Sequence, residues 1–164
     1  MKAVLYLLLV VAIAAGGYVV AAHLSGGAFP TPGLTVGGDR GWLRSTSLAF
    51  WEDIQFKDFE RAATYHDPSS QTTVDIPYLI ERMFLVKPEQ LDVMEYEVVL
   101  AEVDSTGLRA RVKTRLKVKI LTIDRLEEPE VMLYFKRASE TDPWFMDLER
   151  SLREAESDKS KKHQ

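Results

Sequence analysis

The side chains best placed to move a proton are Tyr65, His66 and Asp67, three consecutive residues ahead of Pro68, with Tyr96 and Tyr134 as further hydroxyl donors. In that set His66 would be the general base and a tyrosine the donor, because imidazole titrates near neutrality while a phenol stays protonated. A plainer reading competes. The residue before a proline is pushed out of the α region, so His66-Asp67-Pro68 ends a helix, and a histidine is favourable at a helix's negative end. The helix end is the stronger of the two, which leaves His66, Asp67 and Tyr96 as weak catalytic candidates. The other histidines, His23 and His163, fall in an apolar amino-terminal segment and a polar tail. One histidine in the folded part and no cysteine cannot make a transition-metal or thiolate site, and no Asp-rich calcium loop or Gly-rich phosphate loop appears. No metal and no cofactor are expected.

The second chemical feature is LRARVKTRLKVKI, Leu108 to Ile120, with Arg109, Arg111, Lys113, Arg115, Lys117 and Lys119 at alternate positions. The formal net charge of the whole chain is -4, which gives no general field for a polyanion, so nucleic acid is not expected as a partner. In a strand, side chains alternate between faces. Leu108, Ala110, Val112, Leu116, Val118 and Ile120 would then face a core, with Thr114 among them, and the six cations would face outward. Outward neighbours about 7 Å apart cost roughly 0.6 kcal/mol per pair in water, less with salt, and that is tolerable.

A hairpin with the loop Ser105-Thr106-Gly107, Gly107 in the left-handed position, pairs Asp104 with Leu108. Counting back sets Leu100 opposite Val112, Tyr96 opposite Leu116 and Met94 opposite Val118 inside, with Glu97 opposite Arg115 and Glu95 opposite Lys117 outside. The row reads chiefly as a solvated strand face. Arg109 and Arg111, counted opposite the uncharged Val103 and Ala101, stand out together with Lys113 as candidates for docking an acidic partner or lipid headgroups.

The elements that must position these residues follow from periodicity. Leu48, Trp51, Ile54 or Gln55, Phe59 and Ala62 recur at steps of three and four, predicting one long amphipathic helix over Ser45 to His66. A second, shorter helix is signalled by Asp75 as cap, Pro77 in the first turn, and Leu79, Ile80, Met83 and Phe84 on one side. The period then drops to two: Asp92 to Asp104, Leu108 to Ile123, Glu130 to Ala138 and Trp144 to Glu149 are strand candidates. The expected fold class is α+β, a long and a short helix packed on a curved antiparallel sheet of about four strands. Residues 154–164 read as a disordered polar tail.

Ala3 to Leu24 contains no Asp, Glu, Lys or Arg, and as a helix would reach about 33 Å against a hydrocarbon core of roughly 30 Å. It reads as a signal-anchor over residues 1–24. A cleaved signal peptide ending at Val20-Ala21-Ala22 is the competing reading. Residues 25–41, rich in Gly and Pro, read as a flexible linker to a domain at 42–153.

The run FWEDIQFKDFERAATYHDP, the short second helix and a closing strand opening Pro143-Trp144-Phe145-Met146 resemble the NTF2-like superfamily, whose cone-shaped fold wraps a bent sheet around its helices. The resemblance covers about Trp42 to Arg153. It implies either a pocket, for which Trp51, Phe59, Tyr96, Tyr134 and Trp144 are the candidate lining alongside Phe84, Leu116 and Phe135, or an ordinary filled core, the reading preferred here. It also implies kinship with membrane-anchored scaffolds that carry such a domain beyond one transmembrane helix.

The expectation is therefore an exported, membrane-tethered, non-catalytic binding or assembly domain of the bacterial cell envelope. It would be single-pass in the inner membrane through residues 3–24, with an envelope protein or a second copy of itself as partner. The alternative is a soluble periplasmic pocket protein that binds or transforms a small apolar ligand.

Overall fold

Strict alternation of apolar and basic side chains gives the chain its central strand, β2 (Arg109–Ile120). Ala110, Val112, Thr114, Leu116, Val118 and Ile120 are buried, and the residues between them face outward. The computed structural model describes residues 2–26 and 37–162, with the side chains of 2–5, 7, 155, 156 and 158–162 outside the description. β2 pairs antiparallel on one side with β1 (Leu91–Val103) and on the other with β4 (Glu130–Lys136). β3 (Arg125–Glu127) folds back on the end of β2, and β5 (Phe145–Met146) closes the far edge against β4. The α+β class holds, and the antiparallel sheet curls.

The chain divides into two compact units, Met1–Ser45 and Thr46–Gln164. The first holds α1 (Lys2–Leu24) and the opening turns of α2 (Gly38–Gln55). α1 ends where Gly26 takes φ 66° and its N–H donates to the His23 carbonyl; His23 Nδ1 accepts from the Gly37 N–H at 3.1 Å. Among the described residues no helix is long and apolar enough to cross a membrane. The expected membrane segment falls partly on residues 1–5 and 7, whose side chains lie outside the described set. The expected linker lies largely outside it too, since 27–36 are not described, and α2 already begins at Gly38 within the last residues assigned to that linker.

In the second unit the expected single helix over Ser45 to His66 is interrupted. α2 stops at Gln55 and a short α3 (Phe59–Ala63) follows. Lys57 sits at φ 60°, with Asp58 N–H on the Asp53 carbonyl (2.8 Å) and Lys57 N–H on the Ile54 carbonyl (3.2 Å), the two bonds of a Schellman stop. Asp58 then caps α3 by accepting from the Arg61 N–H at 3.1 Å. A non-glycine in the left-handed region costs on the order of 1 kcal/mol, and the Lys57 ammonium offsets part of it by donating to the Leu91 carbonyl. Gln55 Nε2 donates to the Val93 carbonyl at 2.7 Å. Both bonds occupy carbonyls on the first residues of β1, an edge strand, and so partly cover that edge.

α4 (Ile76–Phe84) forms as the sequence predicts: Asp75 accepts from the Tyr78 N–H, Pro77 lies in the first turn, and Ile76, Leu79, Ile80 and Met83 are buried. The last expected strand does not run to Glu149. It is two residues long, because Asp147 accepts from the Arg150 N–H and starts α5 (Leu148–Lys162), which continues to Lys162, into the stretch expected to be a disordered tail. The core of this unit lies between the inner face of the sheet and Phe50, Trp51, Ile54, Ile80 and Leu148.

Candidate functional site

The outer face of the sheet is built by β2 with flanking carboxylates. Glu95 lies opposite Lys117 and Glu97 opposite Arg115, as the alternation predicts, and Tyr96 lies opposite Leu116. The ammonium of Lys117 is 2.9 Å from Glu95, and the Arg115 guanidinium is 2.6 Å from Glu97 and 3.3 Å from Glu130. Lys113 meets Glu130 at 3.1 Å, and Lys119 meets Asp124 at 2.6 Å. Hydrogen bonds donated to these carboxylates push Arg115, Lys117 and Lys119 up from their ordinary values, and Lys113 and Arg115 hold Glu130 below the usual carboxylate range. In water such exposed pairs stabilise little, so their chief effect is to cancel like-charge repulsion along the strand.

Nearer the hairpin the expected register is off by one. The loop is four residues, since Asp104 N–H bonds the Arg109 carbonyl at 2.9 Å, with Gly107 left-handed at φ 68° as predicted. Ala101 therefore faces Val112, Leu100 faces Lys113, and Glu102 faces Arg111. A bulge between Val98 and Leu100 restores the expected pairing at Glu95 to Val98, and a second between Val93 and Glu95 shifts it again, so Val93 takes the place expected of Met94 opposite Val118. Arg111 is thus not open: its guanidinium lies 2.6 Å from Glu102, which raises its pKa by that hydrogen bond. Arg109 meets Asp104 with its own main chain, its N–H donating to Asp104 Oδ1 at 3.3 Å and its carbonyl accepting from the Asp104 N–H at 2.9 Å, and among the described residues its side chain has no ion pair. Its partner across β4 is another cation, Lys136.

The His66 ring is buried, its two nitrogens have no hydrogen-bond partner within the described chain, and burial pushes its pKa down. Asp67 accepts from the Ser69 N–H and hydroxyl, which hold its carboxyl low and close a turn. Tyr96 is pushed up by burial and then by the nearby carboxylates Glu52 and Asp53.

The residue that sequence reasoning missed is Asp53, almost fully buried on α2. Tyr65 Oη donates to its Oδ2 at 2.9 Å, and Arg61 Nε lies 3.3 Å from its Oδ1. Burial, with the Asp53 bond, raises the Tyr65 hydroxyl to about 12, so it is a neutral donor and no base near neutral pH. The trio clamps α3 onto α2 across the Lys57 stop. Its signal in the sequence was Asp53 lying three residues after Phe50 on the apolar stripe, with Tyr65 a further twelve on.

Each of the five pocket candidates has a described place in the fold. Trp51 is enclosed against Phe50 and Phe84, edge to face. Trp144 is buried beneath the Arg137 guanidinium, 4.3 Å from the ring centroid. Phe59 is half-buried on α3. Tyr134 belongs to the outer face, because Val131, Leu133 and Phe135 take the inner positions of β4, and it sits opposite Arg111 with Arg150 stacked at 4.6 Å. Tyr96 is half-buried beside Leu116 and the Glu95–Lys117 pair. Among the described residues no group of three or more metal-binding side chains converges. No family model matches the chain, and no curated protein matches it.

Proposed function

We propose that this chain is an exported, membrane-tethered binding or assembly domain of the bacterial cell envelope, built on an NTF2-like cone, whose working surface is the outer face of β2. One observation carries the reading. The central strand, hydrogen-bonded on both sides, carries a long ladder of charged side chains on its outer face, while His66 is buried and Asp67 is tied into a turn. The tether rests on the sequence of residues 3–24, which lacks charged side chains. The NTF2-like assignment rests on the motifs of the helical run and closing strand, together with a curled antiparallel sheet backed by helices. Rigid polar faces suit specific, salt-sensitive partner recognition.

Photo-crosslinking in intact cells tests this. With the crosslinking side chain at Lys113, a discrete adduct of defined mass is expected. With it at Glu60, exposed on α3, that adduct is absent. No adduct at Lys113, or the same ladder from both positions, contradicts the reading.

A further inference from the structure

The outer face is balanced along most of its length and unbalanced at one end. Five of the six cations in the row, Arg111 to Lys119, each have a carboxylate within ion-pair distance. Among the described residues Arg109 does not, and the register sets it directly against Lys136, an arrangement that repels. The neighbouring helix adds to the imbalance. The first turns of α5 bring Arg150 and Arg153 to the same place, and an open cleft of about 390 Å³ lies among Arg109, Lys136, Arg150 and Arg153, with Asp147 and Glu154 as lining carboxylates. Four cations against two carboxylates leave a local charge of +2 in a chain whose formal net charge is -4.

Those two carboxylates offset only half of the cationic charge that lines the cleft. Asp147 accepts from the Arg150 N–H at 3.1 Å and forms a long ion pair with the Lys136 ammonium, 3.8 Å apart. The Arg150 guanidinium carbon sits over the Tyr134 ring, 4.6 Å from the centroid, a cation–π contact that leaves its N–H groups without a partner among the described residues. Guanidinium groups held in this way are prepared for bidentate carboxylates.

The geometry points to this cleft, bounded by the ends of β2 and β4 and the start of α5, as the binding site for an acidic peptide segment of a partner protein, taking Asp and Glu side chains between its arginines. The inference rests on the proposed partner-binding role of the sheet face and specifies the chemistry of the partner. A peptide fits better than a membrane surface, because the cleft is a recess with carboxylates between its cations. Such a surface admits discrete side chains and repels a continuous anionic plane.

The test is fluorescence anisotropy of a dye-labelled Asp/Glu-rich synthetic peptide with the full-length chain in detergent micelles. Binding is expected at low ionic strength, weakening as NaCl is raised from about 0.05 to 0.3 M. The double variant Arg109→Gln/Lys136→Gln, with unchanged circular dichroism, is expected to lose about tenfold in affinity. Arg150→Gln/Arg153→Gln should match it, which keeps the test open if one variant folds poorly. Lys117→Gln, whose wild-type side chain is already paired with Glu95, should move affinity less than about twofold.

Equal losses from all three variants, or no peptide binding at low salt, overturn the proposal. So does co-sedimentation with phosphatidylserine vesicles that the double variants abolish while peptide binding survives. If Lys113 crosslinks a partner in cells but the peptide ignores these variants, only the acidic-peptide assignment falls. If the peptide binds as expected but no cellular adduct forms, the assembly role falls.

Discussion

At the scale of single residues, His66 turns the account into a measurable pH dependence. Burial disfavours its imidazolium, and this outweighs the attraction of the neighbouring Ala62 and Ala63 carbonyls and of Asp147 and Glu149. Its folded pKa lies below the ordinary value of about 6.5, so in the interval between the two the unfolded chain binds a proton that the folded chain does not. Stability from this residue is therefore complete above that interval and lost as pH falls through it, at no more than about 1.4 kcal/mol per pH unit. The depressed carboxylates Asp67, Asp104, Asp124 and Glu130 act in the same direction but in a lower window, below the ordinary carboxylate values. Urea unfolding of wild type and His66→Leu between pH 7 and 5 separates the two. The variant is expected to lose the slope above about pH 5 and keep the steeper acid fall. An unchanged slope would show that His66 is not buried neutral.

At the scale of elements, the break at Lys57 decides how α2 and α3 meet, and so where Asp53 and Tyr65 stand. A left-handed residue favours glycine, whereas a helix interior favours alanine. Both Lys57→Gly and Lys57→Ala lose the bond to the Leu91 carbonyl, but only the alanine keeps the backbone strain. The glycine variant should therefore be the more stable of the two by about 1 kcal/mol, the reverse of helix propensity. Urea midpoints of the pair check it, and alanine above glycine would mean a continuous helix.

The same element shows the limit of periodicity. Leu48 to Ala62 keeps a helical beat straight through the stop, because the residues on either side still bury apolar faces, and a Schellman turn formed on lysine leaves no glycine to announce it. The two faces of β2 were legible, since one is buried and the other charged and a slip would invert both, but its end was not: the strand expected to run to Ile123 stops at Ile120. β1 was legible only between Glu95 and Val98. Its loop is one residue longer than Gly107 alone suggests, and the bulges near Val99 and Met94 follow from tertiary curvature, which leaves no local mark. The short closing strand was misread for a related reason: Trp144 and Met146 alternate as a strand does, while the cap at Asp147 that starts α5 resembles an ordinary polar residue in a strand.

At the scale of the molecule, charge pattern and chain order carry different information. The balanced outer face was visible as alternation with Glu95 and Glu97, but the unbalanced end was not. Arg150 and Arg153 reach Arg109 only because α5 returns along β4, and no local pattern connects residues forty positions apart. Asp53 was hidden in the same way, since its partners Arg61 and Tyr65 reach it only through the α2–α3 stop.

The central proposal is that the opening segment carries the helix-backed sheet out of the cytosol and keeps it tethered, with its charged face turned toward envelope partners. Protease treatment of intact spheroplasts, read with a carboxyl-terminal epitope tag, tests it most directly. The account predicts loss of the tag without lysis, survival of a cytosolic control protein, and retention of the undigested chain in carbonate-washed membranes. A tag protected until the membrane is broken, or a chain released by carbonate, would contradict it.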